Sequence, residues 1–492
     1  MTAPQELSAL ATQYTQLYIN GEFQSAQNGA TFQTFNPATG EVLATISAAG
    51  AADIDRAVHA AHAQFAGGEW SKMDGTQRGR LLYKLADLLE RDHEKLARLE
   101  SLDSGKPYGM AFYADLPNLM ATYRYYAGLA DKLEGRSIPV PDMQGRPVLA
   151  YTVREPLGVI ASIGAYNFST MYLGWKAAPA LAAGNTVVFK PAEDATLTSL
   201  HVAALFSEAG FPPGAFNMVP GLGPVTGDAL VRHPLVAKLS YTGGGAVGRV
   251  LARSAAENLK PLTLELGGKA PQIVLEDADL SSVIPTLAMG LFANQGQICA
   301  AGTRIVVHRS LYDAVCEGLS SAAKAQVLGD PLDMSSTMGP LTNQRSVERV
   351  MNFIDQGKAE GAKLLAGGEQ LAQPGYFVQP TIFAGDNTMT VAQEEIFGPV
   401  GIVIPFDSDD EAVQIANDTK YGLNAGIFTR DISRANLLAR RIQTGAVWIN
   451  GFALIDPRLP WGGVKESGYG RENGGWSGIE DVTHEKVITA LL

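Results

Sequence analysis

The chain has 492 residues, 46% hydrophobic and 18% charged, with a formal net charge of −12. That size and composition predict a globular protein of two or three domains and exclude a disordered or fibrous chain. The acidic balance repels phosphate backbones, so nucleic acid is not an expected partner. The chain has two cysteines, Cys299 and Cys316, too few for a disulfide framework. No Cys/His run has zinc spacing, and no metal is expected. The N-terminal run MTAPQEL lacks the basic start and apolar core of a signal peptide. No stretch reaches the ~18 uncharged apolar residues of a membrane helix. These readings predict a cytoplasmic protein with no membrane partner.

In chain order, LYINGEF (17–23) predicts a hairpin turning on Asn20-Gly21. Residues 51–66 and 76–102 carry apolar positions three and four apart and predict amphipathic helices. Residues 137–153 are rich in Pro and β-branched types and predict a protruding extended ribbon around Gly145. From 155 onward short apolar runs alternate with helical ones. Strands are expected at 158–162, 186–189, 216–219 and 237–241, with helices ending at Ala183 and Ala209 and another around 224–232. This alternation predicts a parallel sheet covered on both faces, with ligands at the C-terminal ends of its strands. A second α/β stretch follows Glu265, with strands at 271–275, 303–308, 400–405, 425–429 and 446–449, and the tail 482–492 reads as one more strand.

Two runs point to a nucleotide. AKLSYTGGGAVG (237–248) sets Gly243-x-Gly245-x-x-Gly248 after a strand and before a helix, the pattern that brings a phosphate to a helix N-terminus. Glu265 stands twenty positions after Gly245, where that fingerprint places a ribose ligand. Gly267-Gly268 follow at once, however, and imply a close backbone approach instead. Lys190-Pro191-Ala192-Glu193 caps the apolar run TVVF, so Lys190 and Glu193 either hold ribose hydroxyls or form a solvated loop.

Cys299 lies in NQGQICAAGT, among amides and small residues that would leave room for a substrate carbonyl. A reactive cysteine needs that access and a lowered pKa; the plain alternative is a buried small hydrophobe. Cys316, on the apolar side of LYDAVCEGL, is assigned to packing. No histidine accompanies Cys299, so a Cys/His pair is not suggested.

Together these pieces resemble the aldehyde dehydrogenase superfamily. The resemblance runs from about residue 17 to the C-terminus through AYNFS (165–169), WK (175–176), KPAE (190–193), YTGGGAVG (241–248), LELGGKAP (264–271), GQICAAG (296–302), EEIFGPV (394–400), GAVWING (445–451) and PWGGVKESGYGRENG (460–474). It implies an α/β fold: a Rossmann-like parallel-sheet cofactor domain (1–135 and 154–264), an α/β catalytic domain (265–466), and a small β oligomerisation ribbon (136–153 and 480–492). It implies NAD, with NADP possible, and oxidation of a small-molecule aldehyde to its acid by a homodimer or homotetramer.

The resemblance also assigns roles. Cys299 is the implied nucleophile and Glu265 the general base. Asn167 and the Cys299 backbone N–H form the oxyanion hole, and Lys176 and Glu472 assist proton relay. Lys190 and Glu193 hold the adenosine ribose, and Glu395 contacts the nicotinamide ribose beside Phe397. Gly223, Gly243, Gly244, Gly248 and Leu266 complete the cofactor surface. Tyr166, Phe168, Trp175, Trp461 and Tyr469 are expected to line the substrate tunnel. A thiolate attack, a stabilised oxyanion, hydride loss and hydrolysis of a thioester follow from such a set. The chain departs from the family's Pro-Trp-Asn-Phe-Pro at Ala165-Tyr166-Asn167-Phe168-Ser169, and carries Gly244 where the turn usually has Ser. Glu193 should repel a 2′-phosphate, which favours NAD. The 470–474 run, Gly244 and Trp461 resemble the betaine-aldehyde and aminoaldehyde branch, whereas the aromatic set serves aliphatic or aromatic aldehydes equally. Acylating or semialdehyde relatives and a silent structural relative are the alternatives.

Overall fold

The computed structural model describes residues 3–492. Met1 and Thr2, with which the first expected domain segment begins, lie outside the described residues. Two sheets organise the chain. The first has eight strands in the order 468–469, 262–265, 236–242, 159–163, 186–190, 216–218, 17–19 and 22–24. Its five central strands run parallel, and their neighbours 468–469 and 17–19 pair antiparallel on either side. Numbered along the chain, the parallel strands stand in the order 5-4-1-2-3. The order reverses between Val159–Ile163 and Val236–Thr242, and a parallel sheet binds ligands at the C-terminal ends of strands at such a reversal.

Alternation along the strands builds the core. Ile160, Val187 and Phe189 pack into one helical layer, and Val159, Ala161 and Val188 into the other. The second sheet has seven strands in the order 363–366, 381–384, 400–406, 304–308, 271–274, 424–428 and 446–449, antiparallel only at 363–366. Cys316 packs beside the cluster that contains Val274, Ile305 and Val307.

The hairpin forms as expected: Ile19 pairs with Glu22, and Asn20 (φ 55°) and Gly21 (φ 83°) take the left-handed conformation that such a turn demands. The expected helix 76–102 is two helices, Gly75–Arg91 and His93–Ser104. Asp92 (φ −96°, ψ 11°) leaves helical geometry between them, and its carboxylate is held by Arg91. The helix around 224–232 is a wide five-residue turn, Gly223–Gly227, followed by Asp228–Arg232. Strands 262–265, 363–366 and 381–384 were not anticipated. Each is only four residues long, too short to show a period.

The ribbon turns on Gln144-Gly145 and continues as the strand Val148–Pro156. The tail strand Thr483–Leu491 pairs antiparallel along its whole length, from Thr483↔Pro156 to Leu491↔Val148. The tail therefore closes on its own chain's ribbon. No helix among the described residues is long and apolar enough to cross a membrane.

Candidate active site

Two cavities meet at Cys299. The larger is about 690 Å³ and is walled by Phe168, Met171, Trp175, Ile298, Trp448, Phe452 and Trp461. The smaller, about 220 Å³, is walled by Tyr166, Gly243, Gly244, Leu266, Gly267, Ser346, Arg349, Glu395 and Phe397. Tyr172, Thr242, Glu265 and Cys299 line both. The switch point explains the position: Thr242 ends one strand at the reversal, and the Asn167 loop follows the other.

Cys299 follows a short turn, Ala293–Gly296, in which Asn294 (φ 48°), Gln295 (φ 56°) and Gly296 (φ 69°) are all left-handed. Two non-glycine residues in that region store strain that the surroundings must hold. Side-chain amides do the holding. Asn294 Nδ2 donates to the Asn167 carbonyl at 2.9 Å, and Gln295 Nε2 to the Gly105 carbonyl at 2.6 Å. Gln297 Oε1 accepts from the Thr342 N–H at 3.1 Å. The amides of Gln295 and Gln297 are thus straps, and Asn294 is a strap that also lines the larger cavity. Gly267-Gly268 explain themselves too: a Cβ at Gly268 would run into the Cys299 carbonyl, and one at Gly267 into the Glu395 carboxylate.

The Cys299 thiol is half-buried. Burial first, then the carboxylates of Glu265 and Glu395, push it up to about 12. The lowered pKa expected from the sequence is therefore not a property of this pocket; desolvation outweighs its few donors. Asn167 is buried, and its Nδ2 donates one proton to the Gln297 carbonyl at 2.9 Å while Tyr172 Oη donates to its Oδ1 at 3.2 Å. One Nδ2 proton remains for an oxyanion.

Glu265 ends the strand Leu262–Glu265 and is 3% exposed. Neither carboxylate oxygen has a hydrogen-bond partner among the described residues. Burial first, then Glu472, raise its pKa well above the ordinary value, and Lys176 and Arg471 offset only part. Lys176 pairs with Glu472 and donates to Ser240 Oγ at 2.9 Å, while Ser240 donates to Glu472. Glu472 of this cluster lines the larger cavity together with Glu265.

The expected cofactor residues gather along the smaller cavity and the strand ends beside it. Gly244 caps the twelve-residue helix Gly245–Ala256 without a side-chain bond, so its first N–H groups are open to an anion. A Cβ at Gly244 would meet open space. Gly248 lines neither cavity; it lets the helix pack on Leu266, whose Cδ2 lies 2.7 Å from where a Cβ would stand. Glu193 Oε1 accepts from the Gly223 N–H at 2.6 Å and lies 3.4 Å from Lys190 Nζ. Glu395 Oε1 accepts from the Gly268 N–H at 3.1 Å. Phe397 (φ 60°) stands edge-on to Tyr166 at 5.9 Å.

Two tunnel expectations are corrected. Tyr166 lines the smaller cavity, because the chain bends between it and Phe168 before entering the helix Ser169–Ala182. Tyr469 lines neither cavity; it sits half-exposed on the short strand at the sheet's edge, paired with Leu264. Phe168, Trp175 and Trp461 do line the larger cavity. Trp448 and Phe452 were missed, although Trp448 stands inside the motif GAVWING. Asp55, His59 and His233 gather on the surface with ligand atoms within 4.8 Å of one another. The Leu235 N–H donates to His233 Nδ1 at 3.2 Å, leaving Nε2 to face Asp55 at 3.3 Å as a donor rather than a metal ligand.

The aldehyde dehydrogenase family model matches residues 23–488. Aldehyde dehydrogenase 1A1 of Homo sapiens is 45% identical over 99% of this chain and 97% of its own. Retinal dehydrogenase 2 of Homo sapiens is 43% identical over 99% of this chain and 94% of its own. The solved NAD+ complex of aldehyde dehydrogenase from Bacillus cereus matches with a TM-score of 0.97 at 44% identity, covering 100% of this chain and 99% of that one. Near-complete coverage at this identity, with the same architecture, places the chain in the aldehyde dehydrogenase family.

Proposed function

We propose that this chain oxidises a bulky, uncharged aldehyde to its carboxylic acid with NAD, using Cys299 as nucleophile and Glu265 as base. One observation carries the reading: Cys299 and Glu265 stand where an apolar cavity meets a glycine-turned one. Cys299 Sγ adds to the carbonyl carbon, and its proton passes to Glu265. The oxyanion is met by Asn167 Nδ2 and the Cys299 N–H, each such donor being worth roughly 3–4 kcal/mol. A bound nicotinamide dinucleotide supplies the hydride acceptor for the collapse of that adduct. On the resulting thioester, Glu265 takes a proton from the attacking water. The C–S bond breaks, and the acid leaves with Cys299 restored. The Lys176–Glu472–Ser240 cluster supports the reading that Glu265 passes its proton inward.

The residues present fit a dinucleotide. An open helix N-terminus follows the Gly243-Gly244 turn, Glu193 accepts from the Gly223 N–H beside Lys190, and Glu395 lines the smaller cavity. NAD is favoured because Glu193 is fixed in place by the Gly223 N–H, and a fixed carboxylate repels a 2′-phosphate. Glu193→Ala should lower the ratio of kcat/KM for NAD over NADP by about tenfold or more. An unchanged ratio would reduce Lys190–Glu193 to a structural pair.

The walls of the larger cavity argue for the substrate. They include Asp115, Glu265, Asp456 and Glu472 but no Lys, Arg or His, so a carboxylated semialdehyde has no counter-charge there. Trp461 stacks on Trp448 at 6.0 Å and tilts against Trp175 at 6.3 Å. Rings packed on one another do not enclose a quaternary ammonium, which disfavours betaine aldehyde. An NAD-coupled panel of long aliphatic, benzylic, amino, betaine and carboxylated aldehydes tests this. The first two classes should give the highest kcat/KM, and a preference for carboxylated aldehydes would overturn it.

The tail supports a homodimer or homotetramer. The strand Val148–Pro156 is flanked by the tail on one side and by residues 136–138 on the other, so the tail's outer edge is left for another strand. Deleting Thr483–Leu492 should shift the mass in solution by light scattering to that of a smaller species. An unchanged mass would place the interface elsewhere. Both cysteines are free, which suits a reducing compartment such as the cytoplasm.

A further inference from the structure

Behind the Asn167 loop lies a buried charged cluster that none of the steps above uses. Lys106 is fully buried. Its ammonium pairs with Asp115, lies 3.2 Å from Glu100 Oε1, and donates to the backbone carbonyl of Asn167 at 2.8 Å. Two of its three protons are thereby hydrogen-bonded, and Glu100 Oε1 faces the ammonium as an ion-pair partner without a hydrogen bond. Ser169 Oγ donates to Glu100 Oε2 at 2.7 Å, so the cluster grips the chain on both sides of Phe168. Asp115 closes a wide five-residue helical turn, Ala111–Asp115, an irregularity that helices keep mostly where function needs it.

Stability does not account for this arrangement. One buried ammonium facing two carboxylates is expensive to desolvate, and apolar side chains of similar volume often do as well. The Lys106 ammonium makes a single hydrogen bond outside its acidic partners, and it goes to Asn167. The same carbonyl takes the bond from Asn294, in the strained turn that leads to Cys299.

We propose that Lys106 is a positioning residue for the oxyanion hole: by clamping the Asn167 carbonyl from behind, it fixes where the Asn167 amide points. This rests on the reading of Asn167 as the oxyanion donor.

The test is a double-mutant cycle of Lys106→Met with Asn167→Ala. It is read by aldehyde kcat and KM and by the acylation rate with p-nitrophenyl acetate, which needs the thiol and the oxyanion hole but no hydride acceptor. Lys106→Met should lower kcat and the acylation rate by about 10- to 100-fold, the scale of a small misplacement. KM for the aldehyde should stay within about twofold, and adding Lys106→Met to Asn167→Ala should cost less than about threefold more. Lys106→Gln, which keeps one donor, should recover part of the loss and carries the test if Lys106→Met does not fold. Wild-type rates in Lys106→Met and Lys106→Gln, or losses that multiply in the double variant, would overturn the proposal. A full-rate Asn167→Ala would instead overturn the oxyanion assignment on which it rests.

Discussion

With Cys299 replaced by alanine, aldehyde-dependent NADH formation falls by on the order of 10⁴-fold or more, while dinucleotide binding by fluorescence titration persists. The reason is positional. Cys316, the other thiol, packs in the second sheet's helical layer, so no thiol replaces the lost one. The smaller cavity gathers Gly243, Gly244, Glu395 and Phe397 independently of the Cys299 side chain. The thiol's own titration gives a second expectation. With burial and nearby carboxylates pushing it up to about 12, the thiolate is a minor species across the neutral range. Its alkylation by iodoacetamide in the free protein should therefore climb about tenfold per pH unit without a plateau below that value. Retained turnover in Cys299→Ala would remove Cys299 from the mechanism. A plateau near neutral pH would mean a stabilised resting thiolate.

Glu265→Gln is expected to separate the two halves of the reaction. The first turnover is slowed, because the thiol gives its proton to water in place of Glu265, but it still outruns release and leaves the thioester. Steady-state release of acid falls by about 10²- to 10⁴-fold, the usual contribution of a positioned base. NADH then appears as a burst of about one equivalent followed by a slow phase. The pH dependence follows from the same burial. Glu265 acts as a base only when ionised, and burial together with Glu472 holds its pKa well above the ordinary carboxylate value. In the wild type, kcat should therefore rise with pH through a midpoint displaced upward from that of an exposed glutamate, then level off. In Glu265→Gln that limb should vanish. Coupling also links the two groups. While Glu265 holds its proton it does not oppose the thiolate, and once it ionises it can take the thiol's proton. A variant with normal release and an unchanged pH limb would return Glu265 to the ribose-ligand reading.

The parts of this site that the sequence reveals are those with local signals. Asn20-Gly21 names its own turn, the strand–helix alternation names the parallel sheet, and Gly267-Gly268 announce a close approach that turns out to be Cys299 and Glu395. The roles of Cys299, Glu265 and Asn167 came from the ordered motifs, because no spacing brings residues 167, 265 and 299 together. The first sheet's strand order sets the Asn167 loop and Glu265 at the same strand ends, and the close approach of Gly268 to the Cys299 carbonyl brings the thiol there; strand order is invisible to periodicity. Tyr166 was misplaced for a related reason. A bend of one residue decides which cavity a side chain faces, and no pattern over three residues encodes it. The break at Asp92 escaped because the apolar period carries across it. The Lys106 cluster escaped because Glu100, Lys106 and Asp115 in isolation look like an ordinary solvated helix face. Only the packing of the helices Ser169–Ala182 and His93–Ser104 shows them buried. The thiol's direction of shift is likewise a property of the assembled pocket, where burial outweighs what the small neighbours suggested.

The most direct test of the mechanism is the intact mass of Glu265→Gln after mixing with NAD and a benzylic aldehyde. The account predicts a protein heavier by one acyl group, carried on the peptide containing Cys299 and absent in the Cys299→Ala, Glu265→Gln double variant. NADH formed with no mass added to Cys299, or an acyl group found on any other residue, would contradict it.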